Sequence, residues 1–383
     1  MDRMPKWADV LLIPLISLVL AAIISALVIL AIGEDPWAAV TLMVEGAFGN
    51  TRNIGYTLYY ATNFIFTGLA VAVAFHARMF NIGGEGQALL GGLGVAYAML
   101  YVPWPHWSLA ILGGAVASAV FGAAWAAIPA YLQAKRGSHI VITTIMFNFI
   151  AAALLNYMLV NPLKAPGAME PATISFAEAT HLPNFEMMFD PLWKMIAGPE
   201  ASTIFQRSPA NITFFLALLA AVAVWVLIWR TRIGFQIRAF GWSQPAARYA
   251  GYNATRMIMI AMLISGALAG MMAVNQAMGD AERLVLNAAE GAGFIGIAVA
   301  LMGRNHPFGV FLAALLFGAL YQGGAELAFW TSIPREMIVV IQGLVILFTG
   351  ALDNMVRMPL ERTFMAAGYG KRSAAAKAAQ AAE

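Results

Sequence analysis

The segment from Phe80 to Gln87 has the clearest chemical potential in the sequence, because it places glycines, amides and a carboxylate between two apolar runs. Glycine occupies three of the four positions from Gly83 to Gly86, and each weakens a helix by about 1 kcal/mol relative to alanine. Backbone freed in this way is tolerated at membrane depth only where it is buried in protein or faces a water-filled cavity. The pattern therefore favours a broken helix that lines a polar path.

Glu85 is the acid of this segment, and it lies near the start of an apolar run, far from any clear loop. An ionisable residue inside a membrane indicates a functional site. The alternative interpretation places Glu85 at the inner membrane interface and assigns the glycines to helix packing. On the first interpretation, the expected path-lining residues of this segment are Asn81, Gly83, Gly84, Glu85, Gly86 and Gln87.

Residues 230–256 form a basic segment with a second candidate element. Ser243 is a suitable helix N-cap, and Pro245 follows at an early helical position. The residues Ala246–Ala250 then predict a short helix that ends at Gly251. Such a helix on a basic loop suits docking to a cytosolic partner, and a plain solvated loop is the alternative.

The remaining motifs do not support catalysis or cofactor binding. Glu290–Gly296 contains a formal G-x-G-x-x-G, but no strand precedes it and no acid follows at the expected distance, so helix packing is the better interpretation. Gly266 and Gly270 are also spaced for helix packing. Gly368–Arg372 lacks the features of a phosphate loop. Cysteine is absent and the five histidines share no metal-ligand spacing, so we expect no metal site, no cofactor and no enzymatic activity.

Composition places the elements that hold these residues in a membrane. Of the 383 residues, 61% are hydrophobic and 11% are charged, against about 25% charged in a typical soluble domain. This excludes an ordinary soluble enzyme, a secreted disulfide scaffold and a disordered chain, and it predicts an all-α polytopic membrane protein. Given that a span needs about 20 apolar residues, we place about ten transmembrane helices, at residues 10–32, 56–76, 84–102, 108–131, 140–160, 212–229, 257–274, 290–302, 308–322 and 337–353. The eighth and ninth are short and Gly-rich, so half-helices or a re-entrant hairpin stay open there.

Charge predicts the topology. With the N-terminus inside, 16 of the 22 Lys and Arg residues fall in cytoplasmic segments, as the positive-inside rule requires. Both termini are then cytoplasmic, the first span is an uncleaved anchor, and residues 161–210 form an external loop too long for a mere connection. We expect one transmembrane domain over residues 1–367, with a cytoplasmic loop at 230–256, and a flexible cytoplasmic tail at 368–383.

The chain resembles the permease subunits of bacterial ABC importers, in the branch that includes branched-chain amino acid, ribose and nucleoside systems. The segment Phe80–Gln87 is the most specific match, and it is most similar to the nucleoside and simple-sugar permeases. Three further stretches carry the resemblance, namely Ile142–Ala151 with Asn148 inside it, Arg238–Gly251, and Ile297–Pro307. Together the matches run from about residue 56 to 352.

The resemblance implies the fold of a type II-like importer permease and a division of labour between subunits. It adds Asn148 to the substrate path, and it makes the basic loop the element that couples to the ATPase, where small side chains would allow close approach of two surfaces. The coupling residues are then Arg238, Gly241, Ala246, Ala247, Arg248 and Gly251.

The implied partners are ABC ATPase subunits in the cytosol, a second permease that is a paralogue or a second copy of this chain, and a periplasmic or lipoprotein substrate-binding protein. The implied location is the bacterial inner (plasma) membrane, and ATP hydrolysis belongs to the partner subunits.

Three functions stay open from the sequence. The favoured one is the permease subunit of an ATP-driven importer for a nucleoside or a simple sugar. A proton-coupled secondary carrier would use Glu85 as its coupling acid, but we find no convincing inverted repeat and only one well-placed acid. An ABC permease for branched-chain amino acids is the third.

Overall fold

The computed structural model describes residues 12–331 without a gap, together with residues 5, 8, 333, 339–341, 343–344, 347–348 and 353–366. The described part is helical, with two isolated β-bridges and no longer strand, which confirms the predicted all-α class. The helices are α1 (Ile13–Ile32), α2 (Pro36–Phe48), α3 (Thr51–His76), α4 (Gly84–Tyr101), α5 (Trp107–Tyr131), α6 (Ile140–Val160), α7 (Phe185–Ala197), α8 (Thr213–Arg230), α9 (Arg232–Trp242), α10 (Gln244–Tyr249), α11 (Ala254–Ala277), α12 (Ala292–Met302), α13 (Pro307–Trp330) and α14 (Asp353–Ala366).

Within the described residues, seven helices are long and apolar enough to cross a membrane, namely α1, α3, α5, α6, α8, α11 and α13. Each corresponds to a predicted span. The predicted spans at 84–102 and 290–302 correspond to α4, which is glycine-rich, and to α12, whose 11 residues cover only about 16 Å. The ninth span is longer than the sequence suggested, because α13 has 24 residues. About half of the tenth span, at 337–353, lies outside the described residues, and the tail at 368–383 lies wholly outside them.

The chain forms two compact units, and the first comprises residues 1–43 and 324–383. In this unit Ile29 of α1 packs with Ala39 of α2, which the sequence analysis did not predict, and with Leu327 of α13. Near the start of α1, Ile13 packs against Leu360 and other residues of α14. The expected single domain over residues 1–367 stays a prediction.

The second unit, residues 44–323, is built around α3 and α11, the two most deeply buried of its candidate spans. Helices α4, α5 and α12 surround this pair. Since lipid tails are as apolar as the helices, helices in a membrane associate through close packing and interhelical hydrogen bonds rather than through the hydrophobic effect. The small residues of α3, α4 and α11 are placed for such packing.

The crossing of α4, α5 and α11 shows how close this packing is. A Cβ atom added at Gly270 would lie 2.3 Å from the carbonyl oxygen of Ser118, and one at Gly122 would lie 2.3 Å from that of Gly266. From α4, a Cβ at Gly91 would lie 2.4 Å from the carbonyl oxygen of Gly270. The helix-packing interpretation of Gly266 and Gly270 is therefore confirmed.

Different hydrogen-bonded side chains are found at the two ends of the second unit. At the end where α3 and α8 finish, His76 Nε2 lies 3.1 Å from the carbonyl oxygen of Asn305, and the His76 ring packs edge-on to Trp229. At the opposite end, Asn211 Nδ2 donates to Asn275 Oδ1 at 2.9 Å. We call these the His76 end and the Asn211 end.

The segment 161–210 lies at the Asn211 end and folds over the connection between α11 and α12. The backbone N–H of Thr173 donates to the carbonyl of Leu284, and that of Phe176 donates to the carbonyl of Glu282. The segment also contains α7, which begins at Phe185. It is therefore an ordered part of the second unit rather than a simple connection.

Replacing Gly270 with alanine should destabilise the protein by about 1–3 kcal/mol, as overpacked cores do. The new methyl group has a backbone carbonyl in its place, and backbone moves less readily than a side chain. Thermal unfolding of the purified protein in detergent measures the effect. The control is Ala124→Val on the exposed face of α5, and equal stability of the two variants would contradict the packing argument.

Candidate functional site

The chain turns back into the membrane after α3 ends. Asn81 Nδ2 donates to Ser265 Oγ at 2.9 Å, and Ser265 Oγ donates to the carbonyl of Ala70 at 2.6 Å. Ala70 lies six residues before His76, which corresponds to about 9 Å along a helix. Residues 77–83 therefore return from the His76 end to the interior of the bundle. Helix α4 begins in this interior rather than at the His76 end.

Glu85, in the first turn of α4, caps the N-terminus of α12. Its Oε1 accepts the backbone N–H of Gly291 and its Oε2 accepts that of Gly293, both at 2.9 Å. A carboxylate is favourable at the positive end of a helix dipole and satisfies N–H groups that have no partner within the helix. Only glycine fits at Gly293, because a Cβ there would lie 2.1 Å from the Glu85 nitrogen. Two helices thus begin face to face inside the bundle.

Asn148, near the middle of α6, satisfies the broken backbone on the other side. Its Oδ1 accepts the N–H of Gly86 and its Nδ2 donates to the carbonyl of Ile82, both at 2.9 Å. One turn earlier, Thr144 Oγ1 accepts the N–H of Ile82 at 3.4 Å. The amide supplies the acceptor and the donor that a continuous helix would have provided.

Asn81 and Gln87 lie behind the site. Their side-chain amides bond to each other, at 2.9 Å and 3.1 Å, and each residue is 1% exposed. Gly83 donates its N–H to Asn81 Oδ1 at 2.9 Å, and Gly83, Gly84 and Gly86 are buried. Of the seven path-lining candidates, Glu85 and Asn148 line the cavity described next, and the other five are not among its lining residues.

That cavity has a volume of about 440 Å³ and is bounded by α4, α6 and the start of α12. Its other lining residues are Leu89, Ile145, Phe149, Ala152, Asn287, Glu290, Gly291 and Phe294. Asn287 and Glu290 both have left-handed backbone, with φ of 61° and 46°, an unusual conformation for residues with a Cβ. The carboxylates and amides of this cavity can bind hydroxyl groups of a ligand. Its two aromatic rings can pack against a flat ring of that ligand.

The sequence analysis did not select Asn287, Glu290 and Phe294 for the site. Glu290 precedes the G-x-G-x-x-G motif, which the sequence analysis assigned to helix packing. An acid next to an apolar run could have indicated a polar site there. Nothing local to residues 287–294 shows that they face Glu85, because that contact depends on the fold of the whole bundle.

A second acid, Asp280, lies exposed in the connection that follows α11 and is bonded to a buried tyrosine. Tyr59 Oη donates to Asp280 Oδ2 at 3.1 Å. Partial loss of hydration raises the pKa of Asp280, the hydrogen bond from Tyr59 lowers it, and nearby Glu282 raises it further; the net shift is upward. Tyr60, next in α3, packs its ring against Tyr321 at 4.5 Å. The spans predicted from the sequence, at 257–274 and 290–302, leave Asp280 between them.

The basic segment 230–256 forms two short helices, α9 and α10. Ser243 Oγ accepts the N–H of Ala246 at 3.4 Å, and Gly251 has a left-handed φ of 84°. The predicted helix with its N-cap and terminal glycine is therefore confirmed, and α9 adds an element that was not predicted.

The candidate coupling residues divide between the surface and the interior. Ala246, Arg248 and Gly251 are exposed, Arg238 is half-buried, and Gly241 packs against the His76 backbone. Ala247 is 3% exposed, because its side chain faces the rest of this chain. Two large aromatic side chains of this segment that the sequence analysis did not select are highly exposed, Trp242 at 85% and Tyr249 at 96%.

No group of three or more His, Cys, Asp or Glu residues suited to a metal ion occurs among the described residues.

Residues 53–350 match the family described as the permease component of the branched-chain amino acid transport system. A bundle of membrane helices with a polar cavity where two of them begin is an architecture suited to transport. The chain belongs to this family of permease subunits.

Three relatives are similar over most of their length. The guanosine ABC transporter permease protein NupP of Bacillus subtilis is 35% identical, over 91% of this chain and 95% of its own. The nucleoside ABC transporter permease protein NupB of Lactococcus lactis is 34% identical, over 88% and 90%. The glucose ABC transporter permease protein TsgB13 of Haloferax volcanii is 32% identical, over 88% and 86%. Lactococcus lactis has a further relative, the nucleoside permease NupC, which is 28% identical over 68% of this chain and 78% of its own.

Replacing Glu85 with glutamine should lower the thermal stability and impair transport while the protein still inserts into the membrane. Glutamine keeps one acceptor oxygen and turns an NH₂ group toward a backbone N–H, and a buried donor left unsatisfied costs about 1–3 kcal/mol. Thermal unfolding in detergent and uptake into cells give the two measurements. Glu200→Gln, at an exposed position, is the control, and wild-type uptake with unchanged stability would show that the double acceptor is dispensable.

Proposed function

We propose that this chain is a permease subunit of an ATP-driven importer and forms half of the path for a nucleoside or a simple sugar. The observation that carries the proposal is the cavity where α4 and α12 begin, which Glu85, Asn148 and Glu290 line beside two aromatic rings. The relatives named for guanosine, nucleosides and glucose support the substrate class.

The chemistry of the cavity suits such a substrate. Carboxylate and amide groups bind hydroxyls in pairs, and sugars and ribose carry several hydroxyls. Phe149 and Phe294 offer faces for a planar base or the apolar face of a sugar ring. Asn148 and Glu85 are already bonded to backbone, so they position the cavity and leave part of their acceptor capacity to a ligand.

A second permease subunit would close the path. Phe149 is 68% exposed and Phe294 48% exposed in this chain alone, so the cavity opens onto a surface that a neighbouring subunit can cover. The presence of NupB and NupC in one organism supports a paralogue rather than a second copy. A periplasmic or lipoprotein binding protein would deliver substrate at the Asn211 end.

The ATPase would dock at the His76 end. The segments of the second unit at this end contain no acidic residue and nine basic ones, which are Arg78, Lys135, Arg136, Arg230, Arg232, Arg238, Arg248, Arg256 and Arg304. By the positive-inside rule, this end faces the cytoplasm. The same rule, applied to the whole chain in the inner membrane, puts both termini on the cytoplasmic side. Helix α10 then presents Ala246, Arg248 and Tyr249 to the partner, while Ala247 faces the rest of this chain and Gly241 packs against the His76 backbone.

The geometry is less favourable for a proton-coupled carrier. A coupling acid has to gain and lose a proton during transport, whereas Glu85 accepts two backbone N–H groups that would lose an acceptor on protonation. The branched-chain amino acid alternative keeps the support of the family description, and a substrate panel separates it from the nucleoside assignment.

Uptake into membrane vesicles that contain this chain with its companion permease, ATPase and binding protein tests the function. We expect accumulation of guanosine or another nucleoside, or of glucose, that requires ATP, is blocked by vanadate and resists an uncoupler. Leucine is the comparison substrate, and its preferential uptake would replace the assigned substrate class. Uptake that an uncoupler abolishes and vanadate does not would establish the secondary carrier instead.

Single cysteines in this cysteine-free chain test the sidedness. Ser202→Cys, in the exposed part of the 161–210 segment, should react with an impermeant thiol reagent added outside intact cells. Tyr249→Cys on α10 should react only after permeabilisation, and binding of the ATPase subunit should then protect it. The opposite labelling pattern would invert the topology, and Tyr249→Cys labelling that is unaffected by the ATPase would remove α10 from the docking surface.

A further inference from the structure

Helix α7 turns apolar side chains outward, the reverse of the usual arrangement at a water-exposed surface. Apolar side chains recur at helical spacing along this surface; we call them the α7 stripe, and they are the exposed Met187, Pro191, Leu192, Met195 and Ile196, with the half-buried Met188 at the edge. Within the stripe, Leu192 is 56% exposed, Met195 85% and Ile196 80%. A contiguous apolar surface of this kind indicates contact with another apolar phase.

The charged side chains of α7 lie beside the stripe rather than within it, and they are bonded to this chain. Glu186 Oε2 accepts the N–H of Arg207 at 3.0 Å, and Asp190 Oδ1 accepts that of Ile204 at 3.1 Å. Lys194 Nζ lies 2.7 Å from Asp190 Oδ2, and this hydrogen bond, with that from Ile204, keeps the pKa of Asp190 below its ordinary value. These bonds hold the charged side of α7 against residues 203–207 of this chain.

The start of α7 is attached to a membrane span. The N–H of Phe185 donates to the carbonyl of Ala210 at 2.8 Å, and the Phe185 ring lies 6.1 Å from the ring of Phe214 and 5.9 Å from that of Phe215. Both of these phenylalanines belong to the first turn of α8, a candidate span. Helix α7 therefore begins at the level where α8 enters the membrane.

The outer face of α8 is itself apolar and exposed. Phe215 is 43% exposed, Leu219 64% and Val222 58%, as expected for side chains that face lipid. The apolar surface thus continues from a lipid-facing span to α7 through one aromatic cluster. With 13 residues, α7 is about 20 Å long, which is too short to cross a bilayer.

We propose that α7 lies in the membrane interface at the Asn211 end with the α7 stripe inserted among lipid acyl chains. Lipid fits better than a protein partner because the stripe contains no charged or hydrogen-bonding side chain, whereas protein interfaces have a polar rim. Trp193, on the flank of the helix and 39% exposed, is a residue typical of membrane interfaces. Interfacial helices bury an apolar face at the boundary of headgroups and acyl chains, and here that face anchors the 161–210 segment.

The test uses Met195→Cys in the full chain, which has no other cysteine. A polarity-sensitive fluorophore on this cysteine is measured in lipid nanodiscs with and without lipids spin-labelled near the top of the acyl chain. The control is Met169→Cys, which is in the same segment and replaces a methionine that is 100% exposed. We expect several-fold stronger quenching by the labelled lipid at position 195 than at position 169, with blue-shifted emission.

Equal quenching and equal emission at the two positions would overturn the proposal, because the stripe would then face water. The same measurement is repeated on the complex assembled with the companion permease, the ATPase and the binding protein. Lipid quenching at position 195 that persists in the complex supports the proposal. Loss of that quenching on assembly would show that a protein covers the stripe and would overturn it.

Discussion

The carboxylate of Glu85 accepts the backbone N–H groups of Gly291 and Gly293, and these two bonds join the first turns of α4 and α12 inside the membrane. Acyl chains offer no hydrogen-bond partner, so a helix begins at this depth only where side chains replace its missing turn. Glu85 does this for α12, and Asn148 does it for the residues that lead into α4. The cavity exists because both helices begin at the same place.

The polar groups of this region form two layers with different properties. In the buried layer, the amides of Asn81 and Gln87 bond to each other, and Ser265 links Asn81 to the backbone of α3. A network in which the polar groups find partners holds α3, α4 and α11 in fixed register. The outer layer, with Phe149 and Phe294, is exposed and has room to adapt. The buried layer holds the site rigid, while the exposed rings can adjust to a substrate. This combination suits a site that binds a substrate and then releases it.

Local sequence patterns were sufficient where the structure depends on neighbouring residues. The broken backbone around Gly83 follows from glycine content, and helix α10 follows from Ser243 as N-cap and from Gly251 at its end. Within the described residues, seven spans follow from length and hydropathy. Even so, the burial of Ala247 was not predicted, because six residues give too weak a periodicity to identify which face is buried.

Contacts between distant residues could not be predicted from the same patterns. Glu85 and Gly291 are 206 residues apart, and a single sequence contains no signal that pairs them. The length of α12 was uncertain because an apolar run does not show where a helix begins when its first turn is capped from another helix. The outward apolar stripe of α7 was missed because the many prolines and acids of residues 161–210 resemble those of a solvated loop.

The crossing of α5 and α11 also limits how this sequence can change. When a core side chain is enlarged, a smaller neighbour often restores the fit. At Gly122 and Gly270 the nearest obstacles are main-chain atoms of Gly266 and Ser118, which every amino acid carries, and Gly266 is already the smallest residue. No second substitution at these neighbours creates room, so a side chain gained at Gly122 or Gly270 can be accommodated only if the two helix axes move apart. In other cores, a larger side chain and a smaller neighbour can be exchanged as a pair during evolution. This crossing does not allow such compensating pairs of substitutions.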